Sequence, residues 1–277
     1  MTRDLIDCVK LGVTALVLAG CPGPEVVDGG VDAGGEDPPG PQCTSPTPVK
    51  CFDDSMLKLT LFGNDSSGQP IINQDTVEEE STVAGEFTTH LDTRAGGLSP
   101  TKSYLYLSFT DVGLVRVDLS DEQALDSMEW DIAARRYDVR INAGVSGPSC
   151  TQAARLAPGA TFESTTQVPE DTVWRTEAYL TEGEPGDGGV PACDLLSHPS
   201  GLGISTAISS YWAYQSCVQM TGNIYVLHLR DGKYVKLQVL AYYSPENQEI
   251  CDDTGSVPSP TNAGNLRIRW AYVNGPD

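Results

Sequence analysis

The sequence predicts an all-β fold, β-rich with a few short helices, and two observations point to this class. Several stretches alternate apolar and polar residues or are rich in β-branched and aromatic residues, which is the pattern of half-buried strands. These stretches are residues 58–65, 102–120, 223–244 and 265–273. Long amphipathic helical patterns are not evident in the sequence, and only residues 122–128 fit a short helix.

The stretch from Trp130 to Gly147 predicts a strand that ends in a shaped loop. Apolar residues recur at every second position over most of residues 132–141, as in a two-faced strand. The chain then continues as Asn142-x-Gly144-x-Ser146-Gly147, residue types that tolerate positive φ or form turns. Turn chemistry alone explains these residues, so we expect this loop to define the fold rather than to bind a ligand.

Two further local predictions come from the same kind of reasoning. Trp130 is expected to be a large buried ring, and Asp131 is expected to cap the chain or to pair with Arg135 or Arg136. Asp231-Gly232, between two strand-like runs, is a strong β-hairpin signal.

Residues 1–20 have the pattern of a signal peptide. Basic residues near the start precede an apolar run from Leu11 to Ala19, which is shorter than the roughly 20 residues of a membrane span. The run ends in Leu18-Ala19-Gly20-Cys21, which resembles the bacterial lipobox, where cleavage precedes a cysteine that receives a diacylglycerol. We therefore expect lipidation at Cys21. A plain secretory signal with a structural cysteine is the alternative, and it predicts export equally.

Residues 21–42 are predicted to be the lipidated cysteine followed by a flexible linker. This stretch is rich in Gly, Pro and acidic residues, with almost no side chain that could pack in a core. The order of its acids does not match a calcium-binding loop. Residues 43–277 remain for a single β-rich domain. The chain carries a net charge of −21, which disfavours nucleic acid as a partner.

Cysteine usage agrees with export. Of the 8 cysteines, Cys8 leaves with the signal peptide and Cys21 would carry the lipid. The sequence predicts three disulfides, in a pairing that it does not specify, among the remaining cysteines. These are Cys43, Cys51, Cys150, Cys193, Cys217 and Cys251. A zinc site is disfavoured because no C-x-x-C pair is present.

Two motifs, in order, resemble a known family. The first is Trp130-Asp131-Ile132-Ala133 followed by Arg136 and the Asn142 to Gly147 loop. The second is the strand 224–230 followed by 231–238, which reads D-G-K-Y-x-K-L-Q, and the closing strand 265–272 is also similar. Over residues 100–272 the chain resembles the HmuY-like family of haem-binding lipoproteins of Gram-negative bacteria.

The resemblance implies one β-rich domain, anchored by lipid at the outer membrane on the cell surface or the periplasmic face. It also implies capture of haem, or of haem from a haem-carrying protein, for delivery to an outer-membrane transporter. Contact with the membrane would be through the lipid anchor only.

In characterised relatives the haem iron is held by histidines or methionines that lie outside the two motifs, so the ligands cannot be transferred by position. The chain offers few such side chains, and our candidate axial ligands are His198, Met220, His90 and His228. His198, in a Ser/Gly-rich loop, is expected to be accessible, and Met220 is expected in a loop. His228 lies within a predicted strand, where a hydrogen-bonded core histidine is the alternative. Tyr211, Trp212 and Tyr214 could flank a flat macrocycle or fill a β core.

Two other functions compete with haem capture. A surface lipoprotein of the same fold could bind a protein or a glycan instead, because fold and function separate readily. A secreted hydrolase is the more remote alternative, since neither a G-x-S-x-G nor an H-E-x-x-H motif is present. We therefore expect a binding protein rather than an enzyme.

Overall fold

The computed structural model describes residues 43–59, 64–65, 67–94, 102–185 and 191–276. The predicted signal peptide, Cys21 and the predicted linker 21–42 lie outside the described residues. Within these described ranges, no helix is long and apolar enough to cross a membrane.

The described residues form mostly strands, with three short α-helices. The helices are α1 (Phe52–Lys58), α2 (Asp121–Ala124) and α3 (Pro245–Thr254). The first seven strands are β1 (Val77–Val83), β2 (Glu86–Asp92), β3 (Leu105–Thr110), β4 (Gly113–Val117), β5 (Ile132–Arg135), β6 (Asp138–Ile141) and β7 (Gln152–Arg155). The others are β8 (Leu180–Pro185), β9 (Pro191–Leu195), β10 (Trp212–Tyr214), β11 (Val218–Met220), β12 (Ile224–His228), β13 (Tyr234–Ala241) and β14 (Asn265–Val273). The predicted all-β class with short helices is confirmed.

Two antiparallel sheets make up most of the fold. The larger has six strands in the order β1-β2-β14-β13-β12-β7, and the smaller has four in the order β4-β3-β5-β6. Two separate hairpins, β8-β9 and β10-β11, complete the pairing among the described strands.

The main hydrophobic core joins the two large sheets. Along β14, Leu266, Ile268 and Trp270 are buried at every second position, so one face of the six-stranded sheet points inward. The Trp270 ring stacks on Phe87 of the same sheet at 4.3 Å and meets the edge of Phe109 from the four-stranded sheet at 4.9 Å. These rings bridge the sheets, and such aromatic pairs are worth about 1 kcal/mol each beyond the area that they bury.

The predicted strand over residues 132–141 is in fact a hairpin. Strands β5 and β6 pair with each other, and Arg136 lies in the left-handed region with φ 55° between them. The buried alternation changes phase at this point, from Ile132 and Ala134 to Val139 and Ile141. The chain reverses over Arg136 and Tyr137, because the left-handed conformation of Arg136 allows a tight two-residue turn between Arg135 and Asp138.

The other predicted strands agree with the structure to different extents. Residues 265–273 form β14 as predicted, and residues 223–244 form the β12–β13 hairpin with Gly232 at φ 86°. The run 102–120 folds back on itself as the β3–β4 hairpin. The predicted strand 58–65 is wrong at its start, because Lys58 ends α1, and residues 60–63 lie outside the described part of the chain.

Trp130 is fully buried, as predicted, and its indole nitrogen donates to the Ala124 carbonyl at the end of α2. The predicted pairing of Asp131 with Arg135 or Arg136 is wrong. Its carboxylate instead accepts hydrogen bonds from the Ser108 hydroxyl and the Phe109 amide. Its nearest cation is Arg230, at 3.9 Å. Asp131 therefore ties its segment to β3.

Two of the three predicted disulfides are present. Cys51 pairs with Cys193, and Cys217 pairs with Cys251. The first bridge joins the N-terminal segment next to α1 to β9, and the second joins the β10–β11 turn to α3. Cys43 and Cys150 are thiols in the structure.

Candidate functional site

The β10–β11 hairpin places Trp212 and Met220 side by side. They are directly paired in register, so their side chains leave the same face of the hairpin. The turn between the strands contains Ser216 at φ 72° and is fixed to α3 by the Cys217–Cys251 bridge. Met220 is half-buried against the main core. The prediction that Met220 lies in a loop is wrong, because it is the last residue of β11.

His198 lies against the same tryptophan. Its ring stacks on Trp212 with centroids 4.1 Å apart and an angle of 17° between the planes. The expectation of an accessible His198 is wrong, since only 9% of the residue is exposed. The stacking on Trp212 covers it although the surrounding loop is rich in Ser and Gly. We call His198, Trp212 and Met220 the Trp212 cluster.

The polar contacts of His198 define its chemistry. Burial lowers the pKa of the imidazole, although a backbone hydrogen bond at Ser209 opposes this, so the ring is neutral at neutral pH. Nδ1 lies 2.7 Å from the Ser200 hydroxyl and accepts a hydrogen bond from the Ser200 amide at 3.2 Å. Because Nδ1 accepts this bond, the proton of a neutral ring lies on Nε2, and metal binding through Nε2 would require the proton to move to Nδ1.

Trp212 is the least satisfied member of the cluster. Its indole nitrogen is buried and has no hydrogen-bond partner among the described residues. A buried donor without a partner typically costs about 1–3 kcal/mol. Tyr137 lies 5.0 Å from the indole ring, and Tyr137 in turn packs on Tyr242. The cluster thus combines a neutral imidazole, a thioether and several aromatic rings.

Two buried carboxylates hold the loop that carries His198. Glu177 accepts hydrogen bonds from the Ile141 amide and the Ala207 amide, each at 2.8 Å. Asp138 accepts one from the Ile204 amide at 3.1 Å. Burial raises the pKa of Glu177 to about 7 and that of Asp138 to about 6, against the opposing effect of these amides. The loop is therefore fastened to β6 by groups that titrate near neutrality.

The two other candidate histidines lie on different strands. His90, on β2, bonds through Nε2 to the Asn265 side chain at 3.1 Å. His228 ends β12, where its ring stacks on Tyr234 at 4.6 Å and lies 5.9 Å from Trp174. Its Nε2 is buried without a hydrogen-bond partner among the described residues, so the expectation of a hydrogen-bonded core histidine is not met at this nitrogen. Of the four candidate ligands, only His198 and Met220 therefore lie next to the same residue, Trp212.

A cavity of about 970 Å³ lies elsewhere in the domain. Its walls are the N-terminal segment 43–51, the loop that begins at Gly144, the segment 176–182 and His228. Its volume is at the upper end of the usual range for small-molecule sites, which is about 300–1,000 Å³. No pattern in the sequence predicted this cavity, because its walls come from four distant parts of the chain.

The loop from Asn142 to Cys150 has a structural role, as predicted. The Asn142 side chain donates to the carbonyls of Ser127 and Trp130 and accepts from the Ser149 amide. Gly144 has φ 63°, and a Cβ there would overlap the Glu177 carbonyl oxygen. The same loop also forms one wall of the cavity.

The donor set of the Trp212 cluster fits a haem group. Imidazole and thioether are both known axial ligands of haem iron, and flat aromatic rings suit a macrocycle. His198 and Met220 supply the two donors, and Trp212, Tyr137 and Tyr242 supply the rings. By its fold, the described part of the protein is a β-rich, disulfide-bonded domain.

The family can also be stated. The model of the family described as HmuY protein matches residues 100–252, more than half of the 277-residue chain, and the chain belongs to this family. Proteins of the HmuY family are binding proteins, not enzymes. None of the curated proteins matches the chain.

Several solved structures are similar to the chain at low identity. A proposed HmuY-like heme-binding protein from Bacteroides vulgatus is 16% identical, with a TM-score of 0.44, covering 71% of this chain and 98% of its own. A proposed lipoprotein from Bacteroides fragilis is 12% identical, with a TM-score of 0.43 and coverages of 70% and 92%. The apo HmuY analog of Tannerella forsythia is 12% identical, with a TM-score of 0.35 and coverages of 73% and 98%. No residue role is transferred from them.

Proposed function

We propose that the protein binds haem at the Trp212 cluster, with His198 and Met220 as the axial ligands. The observation that carries this proposal is the position of a neutral imidazole stacked on Trp212 and a thioether paired with the same residue in register. Membership of the HmuY family supports it.

The residues of the cluster have distinct roles in this proposal. His198 would use Nε2 as the ligand atom, which requires its proton to be carried on Nδ1 and therefore requires the Ser200 amide, which donates to Nδ1 in this structure, to turn away. The Ser200 hydroxyl, 2.7 Å from Nδ1, is placed to accept that hydrogen bond. Bound haem would supply the iron that the protein carries. Trp212 and Tyr137 would provide the aromatic walls and exclude water.

Glu177 and Asp138 would set the position of the ligand loop. They bond the amides of Ala207 and Ile204, which lie between His198 and Trp212 in the chain. Holding the middle of this segment at two amides restrains the imidazole against the indole ring, which lowers the entropic cost of binding.

The cellular part of the proposal is an exported lipoprotein that acquires iron. The lipobox-like sequence ending at Cys21 would anchor the domain to the outer membrane, on the cell surface or the periplasmic face. Its partners would be haem or a haem-carrying protein, and an outer-membrane transporter that takes up the haem. Contact with the membrane would be through the lipid alone, and the net charge of −21 disfavours nucleic acid.

The test is a haemin titration followed by the Soret band. The described residues belong to one compact unit, and a chain that begins at Asp37 is the material for it. We expect a shifted, saturable Soret band with a low-spin ferric spectrum that carries a thioether signature. His198→Ala and Met220→Ala should each weaken haemin binding by tenfold or more, because each removes one axial ligand.

The chain provides matched histidine controls. His90→Ala and His228→Ala remove imidazoles outside the cluster and should leave the spectrum unchanged. An unshifted Soret band with the wild-type domain would contradict haem binding and favour a lipoprotein that binds a protein or a glycan. Loss of binding only in His228→Ala would contradict the Trp212 cluster and move the site to His228.

A further inference from the structure

We propose that Cys43 and Cys150 form a third disulfide, which fastens the start of the domain to the Asn142–Cys150 loop. Burial raises the pKa of the Cys150 thiol and the neighbouring Cys43 thiol adds to this, so the two side chains lie close together in the structure. Both also line the 970 Å³ cavity. The pair is therefore a contact in space between residues that are far apart in sequence.

The backbone on both sides holds the two cysteines in place. The Cys43 amide donates to the Arg230 carbonyl at 3.0 Å, and the Thr47 amide donates to the Pro148 carbonyl at 2.8 Å. Cys150 is fixed by a β-bridge to Ala143. Because backbone hydrogen bonds already hold the two segments next to each other, the two sulfur atoms would need only a local side-chain movement to reach the S–S bond length of about 2.05 Å.

The remaining cysteines leave these two as natural partners. Cys51, Cys193, Cys217 and Cys251 are engaged with one another. Among the described cysteines, only Cys43 and Cys150 are thiols, and they are neighbours. An exported chain meets an oxidising compartment in which such a pair is oxidised.

The chemistry is thiol–disulfide exchange. One thiolate attacks the disulfide of an oxidant and forms a mixed disulfide, and the second thiolate then displaces the oxidant's remaining sulfur. Two S–H bonds are lost and one S–S bond forms in the protein. The oxidant's S–S bond is reduced to two thiols, which take up the two electrons and the two protons.

The bond would fix the segment 43–51 covalently at both of its ends. Cys51 already ties one end of this segment to Cys193, and Cys43 would tie the other end to Cys150. One wall of the cavity would then be covalently closed at both ends, and the tether would leave the domain at a fixed point beside the cavity.

The test is disulfide mapping of the full chain. The protein is purified without reductant, equilibrated with oxidised glutathione, blocked with N-ethylmaleimide under denaturing conditions and digested. We expect a linked peptide pair that contains Cys43 and Cys150, with neither residue alkylated. The linked Cys217–Cys251 peptides serve as an internal control for recovery.

A variant gives an independent readout. In Cys150→Ser, the Cys43 thiol should become alkylated while the Cys217–Cys251 link persists. If Cys43 and Cys150 of the glutathione-treated wild-type protein are both alkylated, or are each joined to glutathione, the proposal is wrong.

Discussion

Glu177 is a fully buried carboxylate whose two oxygens hold amides from two different segments. Burial raises its pKa from the ordinary 4.5 to about 7. Between these two values the folded protein binds the proton more tightly than the unfolded chain does. The contribution of Glu177 to the free energy of unfolding is therefore fully present below about pH 4.5 and falls as the pH rises to about 7.

Glu177→Gln should remove this dependence on pH. Relative to the wild type, the free energy of unfolding of the variant should rise between pH 4.5 and pH 8 by up to about 3 kcal/mol, because glutamine does not ionise. A constant loss is expected as well, since the glutamine amide cannot accept one of the two hydrogen bonds. Urea unfolding at a series of pH values measures both terms.

Glu182→Gln is the matched control, because it makes the same substitution at an exposed position. A difference between Glu177→Gln and the wild type that does not change with pH would show that the buried carboxylate does not titrate in this range.

For single residues, the sequence predicted the burial of a large apolar side chain, but it did not predict the surroundings of a polar one. Burial of Trp130 followed from its size within an apolar stretch. The burial of His198 could not be foreseen, because its neighbours Pro199, Ser200 and Gly201 are typical of an exposed loop. Its cover comes from Trp212, which lies on the β10–β11 hairpin and is not adjacent to His198 in the chain.

The Asn142–Cys150 loop is the element on which several parts of the fold depend. Gly144 has a left-handed conformation, and its missing Cβ leaves room for the Glu177 backbone. Gly159 is also left-handed, with φ 94°, but nothing lies within 4 Å of the position of its Cβ. A substitution at Gly144 would therefore cause both backbone strain and steric overlap, whereas one at Gly159 would cause backbone strain alone.

Gly144→Ala should destabilise the domain by more than about 2 kcal/mol, because strain and overlap add. Gly159→Ala should cost only about 1 kcal/mol, from the left-handed backbone alone. Chemical denaturation of the two variants compares these costs directly. Equal losses would mean that the loop shifts away from Glu177 and is less rigid than its contacts indicate.

Among the elements, alternation predicted β14, in which Leu266, Ile268 and Trp270 are buried at every second position, and Asp231-Gly232 predicted the turn between β12 and β13. The β5–β6 hairpin was missed, although the change of phase between Ala134 and Val139 was present in the sequence. The turn has Arg136 in the left-handed conformation, where Gly, Asn or Asp is usual, so its sequence does not predict a turn.

The molecule as a whole joins a β-rich binding domain to a predicted lipid anchor. Cys21→Ser should move the protein from the membrane fraction to the soluble fraction, because the diacylglycerol would have no attachment site. Cell fractionation followed by detection of the protein measures this. Cys43→Ser, which leaves Cys21 intact, is the control and should stay with the membrane. Wild-type protein recovered in the soluble fraction without lipid would contradict the anchor.

The order of strands in the large sheet was beyond the reach of the sequence. β14, near the C-terminus, lies between β2 and β13, and β7 forms an edge beside β12. Such non-local pairings are decided by the packing of whole faces, and local alternation carries no information about them. The cavity was missed for the same reason. The members of the Trp212 cluster were candidates from the sequence, but the contacts between them were not predicted.

The Cys51–Cys193 bridge spans 142 residues, and this separation bears on how the protein is made. Because synthesis proceeds from the N-terminus, Cys51 emerges long before Cys193, while Cys43 is already close to it in the chain. The shortest loop closes most readily, so the first bond to form would be the incorrect one between Cys43 and Cys51. A correctly bonded domain then depends on a disulfide isomerase that can undo this early pairing, and a host without that enzyme would be a poor source of the protein.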